Sequence, residues 1–284
     1  MSHAVAVDGH APPNDRFYLT DVTLQHATVL LLALAAVPGV RLVRQDAVVP
    51  RGITPRTYDR ILADAMDQSQ SVAAVVAERA AGLHVPDPPV HVYVSDILPS
   101  SPARGTLHAG DELLRVDATR VAGTGQVLAA IDRLPAGARV AVALRRGVRV
   151  FVVRVPTMQL RGATRLGIVL ERRAEKPALP VGVRFNLEDV SGSSGGLMFA
   201  LQIYGALHRD ARRPGTSIAG TGTIAYDGSV GPIEGTRQKL IAAKRVGARI
   251  FFVPRANYTE VASERDVRVV PVGNFRDALA ALRS

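Results

Sequence analysis

A chain of 284 residues, 47% of them hydrophobic, is long enough for two or three domains with buried cores and too apolar for a disordered segment. Cysteine is absent, which excludes disulfides, thiol nucleophiles and thiolate metal sites; the seven histidines form no H-E-x-x-H, so neither metal nor cofactor is expected. The net charge of +10 comes from basic residues spread singly or in pairs among only 5% aromatics, so no nucleic-acid partner is expected.

In chain order, the polar stretch DGHAPPNDR is followed by the strand-like FYLTDV and by helical patterns over Thr23 to Val37 and Thr57 to Ala81. The most apolar run, Ala27 to Val37, has eleven residues, whereas a membrane span takes about 20. It reads as a buried helix. The N-terminus lacks a charged stretch leading into an apolar one, so neither a signal peptide nor an anchor is expected within this chain. Residues 1–86 carry no recognisable chemistry and are read as a helical packing and connecting region.

The proline-rich HVPDPPV marks a boundary, and residues 87–157 form the next domain. Strands are expected at VHVYV, RVAVALRR and VRVFVVRV, with a helix at GQVLAAIDRL. Ser101-Pro102-Ala103, Leu107, Gly110-Asp111-Glu112-Leu113-Leu114 and Val116-Asp117 make a pattern that resembles a PDZ domain of the bacterial type. That resemblance implies a module that accepts an extended peptide on a sheet edge. The motif does not identify the groove residues.

Residues 158–284 form the last domain. LGIVLERR and VGVRFNLEDV read as strands, GGLMFALQIYGALHRD as a buried helix, and TSIAGTGTIAYDGSVGPI as a hairpin turning at Asp227-Gly228. A helix at EGTRQKLIAAKRVGA, a strand at RIFFVP and a terminal helix at NFRDALAAL follow. The fold class is therefore α+β or α/β and multidomain.

Gly192-Ser193-Ser194-Gly195-Gly196 satisfies G-x-S-x-G, the nucleophile elbow of Ser-His-Asp hydrolases. A serine hydroxyl needs a neighbouring base. The histidine that follows, His208, lies about 21 Å along an unbroken helix, out of reach. Upstream, His84, His91 and His108 fall in or beside the PDZ-like segment. Lysine is the other base that serves a serine. Of 35 Lys+Arg only Lys176, Lys239 and Lys244 are lysines, and arginine does not yield its proton near neutral pH. Lys176 sits in a polar linker and Lys244 near a helix C-terminus, where a cation suits the dipole. Lys239 opens its helix after GPIEG, and on the residues alone it is either the base or an ordinary exposed helix residue.

From about residue 160 to the C-terminus the chain resembles the Lon protease domain, a Ser-Lys dyad peptidase. The family pattern G-P-S-A-G stands here as Gly192-Ser193-Ser194-Gly195-Gly196. Its T-G-x-I and G-x-V-x-P-I-G-G-x-x-x-K stand as Thr221-Gly222-Thr223-Ile224 and as Gly228 through Lys239. The resemblance implies that Ser194 is the nucleophile, Lys239 its base and Thr221 a supporting hydroxyl; the unpaired backbone N–H groups at the start of the Gly195 helix are expected to supply part of an oxyanion hole.

With the PDZ-like segment in front, the chain is similar to bacterial PDZ-containing Lon-like proteases that lack the ATPase module. No lysine follows a glycine, so the chain has no Walker A motif. The resemblance implies an ATP-independent endopeptidase acting on unfolded or extended polypeptides. It also implies a homo-oligomeric ring, and a membrane-anchored full-length protein with an extracytoplasmic catalytic domain.

Two departures bear on activity. Ser193 and Gly195 replace proline and alanine, which suggests a looser turn. Glu234 replaces a glycine, and a carboxylate aimed at Lys239 would favour its charged form. These departures sustain a rival reading, a non-catalytic adaptor or holdase on a degenerate Lon-like scaffold.

Overall fold

A computed structural model describes residues 4–12, 16–22, 40, 42–43, 55–187, 190–208 and 215–283. The helix expected over Thr23 to Val37 lies outside the described residues. The chain separates into two compact units: Met1–Pro86 with Pro177–Ser284, and Asp87–Lys176.

Ahead of the boundary stand β1 (Val5–Val7), β2 (Arg16–Leu19) and the helix α1 (Pro55–Ala80). The second unit follows with β3 (Val90–Ile97), β4 (Glu112–Val116), β5 (Thr119–Arg120) and α2 (Thr124–Ile131). It continues through β6 (Arg139–Arg146), β7 (Arg149–Pro156), β8 (Met158–Leu160), β9 (Ala163–Arg165) and β10 (Ile168–Ala174). The chain then returns to the first unit with β11 (Val183–Phe185), α3 (Gly196–Leu207), β12 (Ser217–Gly220), β13 (Thr223–Ile224) and β14 (Val230–Gly231). It closes with α4 (Thr236–Arg245), β15 (Ile250–Pro254), a 3-10 helix (Arg255–Glu260), β16 (Arg268–Val272) and α5 (Phe275–Arg283).

In the second unit an antiparallel sheet runs in the order β10-β3-β4-β6-β7, with β5 paired to β4. Its core joins Val92, Leu107, Leu113, Ile131, Val142 and Leu144. The motif residues here do structural work. The Ser101 hydroxyl donates to Leu166 O at 2.7 Å, and buried Asp111 accepts from Arg146 at 2.6 and 2.8 Å.

The first unit is built on a parallel sheet, β16-β15-β12-β2. Alternation along β12 and β15 sorts side chains to two faces. Ile218 and Phe252 join the core with α1 and α3, whereas Ala219, Phe251 and Val253 pack with Leu240 and Ala243 of α4. All but the last residue of α3 are buried, in keeping with a run whose polar amide is Gln202 alone. Valines and alanines between Val72 and Ala77 of α1 pack into the same core.

The structure divides the chain differently from the sequence reading. Residues 158–176 belong to the PDZ-like unit, because β10 pairs with β3 along its whole length. Residues 1–86 fall in one unit with the C-terminal part, contributing the sheet strand β2 and the core helix α1. The expected hairpin is confined to β13 and β14, while β12 leaves it to join the parallel sheet.

Candidate functional site

Ser194 precedes α3, with Gly195 as the N-cap residue, φ −87° and ψ −10°. The turn that carries it is held from several sides. Gly192, in the left-handed region at φ +86°, donates its N–H to Leu62 O at 3.0 Å. Ser193 O accepts from the Ser69 hydroxyl at 3.1 Å and from Gly196 N at 3.3 Å. Ser194 O accepts from Gly222 N at 2.8 Å and from the Thr221 hydroxyl at 3.1 Å. The turn is thus anchored on α1 and on the residues after β12.

Lys239 arrives on the first turn of α4. Gly235 caps that helix in the left-handed conformation, φ 73° and ψ 29°. The lysine side chain runs inward, 3% exposed, and Nζ lies 2.6 Å from Ser194 Oγ and 3.2 Å from Thr221 Oγ1. Thr221 is fully buried. Ser194, Lys239, Thr221 and Gly195, the four residues singled out by sequence, thus meet at one place.

Burial pushes the Lys239 amine below its ordinary value, and the carboxylate that opposes this shift is Asp21. The sequence reading placed that risk on Glu234. Glu234 is exposed, on the solvent side of the Gly235 turn. The other residues that sequence reasoning passed over, Ser69 and Leu62 of α1 and the stretch Leu19 to Val22, carry no motif that would mark them.

The backbone amides of Gly196 and Leu197 are taken up by Ser193 O and Gly222 O. They are therefore not the free donors expected of the helix start. Among the described residues the amides of Ser194 and Gly195 have no acceptor. β11 pairs on one side with β1. Among the described residues no three His, Asp or Glu side chains are grouped to hold a metal, and no helix is long and apolar enough to cross a membrane.

Residues 189–281 match the Lon protease (S16) C-terminal proteolytic domain. A Lon protease of Xanthomonas oryzae pv. oryzae is 29% identical over 173 residues, covering 57% of this chain and 18% of that protein. A Lon protease of Metamycoplasma arthritidis is 38% identical over 86 residues, covering 28% and 10%. Lon protease 2 of Bacillus subtilis is 31% identical over 91 residues, covering 32% and 16%. The chain therefore spans only a small part of these relatives.

Among solved structures, the PDZ domain of an SdrC-like protein from Listeria monocytogenes is 23% identical, covering 28% of this chain and 85% of that one at a TM-score of 0.26. A solution structure from Geobacillus thermodenitrificans is 27% identical, covering 28% and 94% at a TM-score of 0.26. The match to the Lon protease (S16) C-terminal proteolytic domain thus spans the residues that carry Ser194, Thr221 and Lys239.

Proposed function

We propose that this protein is an ATP-independent serine endopeptidase in which Ser194 is the nucleophile and Lys239 its general base. The observation that carries the reading is the 2.6 Å approach of a buried lysine amine to a serine hydroxyl. Burial favours the neutral amine, the form able to accept a proton. Neutral Lys239 accepts the Ser194 proton as Oγ bonds to the peptide carbonyl carbon. The resulting ammonium gives that proton to the leaving amine as the C–N bond breaks, and water then hydrolyses the acyl-enzyme.

The amides of Ser194 and Gly195 are the donors for the oxyanion. Such donors are worth about 10²–10³ in rate when removed from other hydrolases. Thr221 holds the lysine, accepting from Nζ while donating to Ser194 O. Substrates are unfolded or extended polypeptides, and these 284 residues carry no Walker A motif. The side of β11 away from β1 is a place for such a segment to pair. The PDZ-like unit offers a second one at β10, which ends its sheet.

The test is cleavage of casein without nucleotide. Wild type is expected to cleave it, and Ser194→Ala and Lys239→Arg to abolish cleavage while each keeps a cooperative thermal transition, that of Lys239→Arg at a lower temperature because arginine stays charged in a buried place. Full activity in Lys239→Arg removes the lysine from the mechanism. Casein binding without cleavage by wild type establishes the adaptor or holdase reading instead.

A further inference from the structure

Four consecutive residues of the N-terminal segment, all outside the matched residues 189–281, reach four separate parts of the site. β2 runs parallel to β12 with Leu19 opposite Gly220, so the chain leaves β2 beside Thr221. Leu19 lies against the nucleophile turn: a Cβ added to Gly195 would sit 2.7 Å from Leu19 Cδ1. Thr20 is buried and its hydroxyl donates to Gly220 O at 3.1 Å. Val22 lies against the cap of the lysine helix, where a Cβ on Gly235 would sit 3.1 Å from Val22 Cγ2. Asp21 stands between Thr20 and Val22, so its backbone is held beside the site while the residue itself is exposed.

We propose that Asp21 is a positioning residue for Lys239: its carboxylate stabilises the ammonium that forms when Ser194 gives up its proton. The role rests on the dyad reading above. In the resting enzyme the same carboxylate works against neutral Lys239, in the direction opposite to burial. Buried Lys239 is otherwise poorly solvated as a cation, so a charge that favours the cation matters most at the moment of proton transfer.

Several charged groups on the elements around α4 have partners elsewhere. Arg237 donates to Glu260 O, and the Glu260 carboxylate accepts from Asn257. Lys244 is tied to Glu264 and Asp266, and Glu234 is exposed.

The chain has three lysines, so protein labelled with ¹³C at lysine Cε gives three sets of signals. That of Lys239 is identified by its loss in Lys239→Arg. Following it against pH reads the charge on Lys239 without any need for proteolysis. In Asp21→Asn the Lys239 midpoint is expected to fall below that of wild type while those of Lys176 and Lys244 stay in place. Asp21→Glu is expected to restore it.

The kcat for casein in Asp21→Asn is expected to drop by up to about fivefold, the scale of a solvent-screened charge pair. Its acid limb moves to lower pH with the midpoint, and KM holds. An unmoved Lys239 midpoint in folded Asp21→Asn overturns the proposal, as does a midpoint lowered equally in Asp21→Glu. Absence of proteolysis in wild type, with the Lys239 midpoint still shifted by Asp21→Asn, counts against the peptidase reading and leaves the Asp21–Lys239 coupling standing.

Discussion

Replacing Gly195 with alanine restores the methyl group of the family pattern in a place that this chain has filled from elsewhere. The backbone at Gly195, φ −87° and ψ −10°, suits alanine. Lower freedom in the unfolded chain would by itself stabilise the variant by about 0.4–1 kcal/mol. The added Cβ, however, falls 2.7 Å from Leu19 Cδ1 and 3.0 and 3.1 Å from Cε2 and Cζ of Phe199. Leu19 is partly buried and free to turn, but Phe199 is fully buried with its ring edge-on to Phe185. Overpacking of this kind costs about 1–3 kcal/mol. The net expectation is a loss of about 1–2 kcal/mol, with the melting point lowered by about 2–4 °C per kcal/mol.

Because Gly195 adjoins Ser194, a displaced turn is also expected to lower casein cleavage by about tenfold or more. Thermal unfolding and cleavage are measured for Gly195→Ala, Leu19→Val and the double variant. The double variant should recover about 1 kcal/mol relative to additivity, since the two sites are in contact. A Gly195→Ala protein as stable and active as wild type, or strict additivity with Leu19→Val, refutes the packing account.

Thr221→Val removes one hydroxyl that serves both Lys239 and Ser194 O; kcat for casein should fall about tenfold or more, since a buried group left unpaired costs about 1–3 kcal/mol. Ser69→Ala removes the bond from α1 to the nucleophile turn and should cost about 0.5–1.5 kcal/mol in urea unfolding, with reduced cleavage. Lys239→Met tests the lowered lysine value through stability. Between that value and the ordinary one the unfolded chain binds a proton that the folded chain does not, so wild-type stability rises with pH across the window. The advantage of Lys239→Met in urea unfolding should therefore be largest at the low-pH end and shrink towards the ordinary lysine range.

What could be read from the sequence was whatever is written locally. α3 is a largely apolar run behind a glycine turn, and Lys239 is one of three lysines in a chain that mostly writes arginine. β10 resembled a strand of the last domain because its texture matches that of the residues after it. Its partner β3 lies on the far side of a long stretch of chain, and pairing at that distance leaves no local mark. Asp21 was passed over for the same reason, whereas Glu234 drew attention by lying five positions from the lysine. Sequence proximity pointed to Glu234, whereas the register of β2 on β12 carries the stretch Leu19 to Val22 past Gly220 to the site.

The segment boundaries matter physically because the unit that holds Ser194 and Lys239 is closed by residues far apart in the chain. Thr20 bonds to Gly220 and Ser69 to Ser193, across the whole PDZ-like stretch. A fragment cut at the sequence-expected boundary, residues 158–284, keeps Ser194, Thr221 and Lys239 but loses β2 and α1. Met198, Phe199, Ile203 and Ile218 would then lack the Phe17, Val72, Ala73 and Val76 side chains that complete their core cluster. Each large core side chain left exposed forfeits about 1.5–3 kcal/mol, so a few of them exceed the stability of a typical domain. The fragment is expected to aggregate, or to show no cooperative thermal transition and no casein cleavage. Adding residues 1–86 as a separate chain should restore both if the closure account holds. Autonomous folding and cleavage by residues 158–284 would show that β2 and α1 are dispensable, and would remove the physical basis for assigning Asp21 and Ser69 to the site.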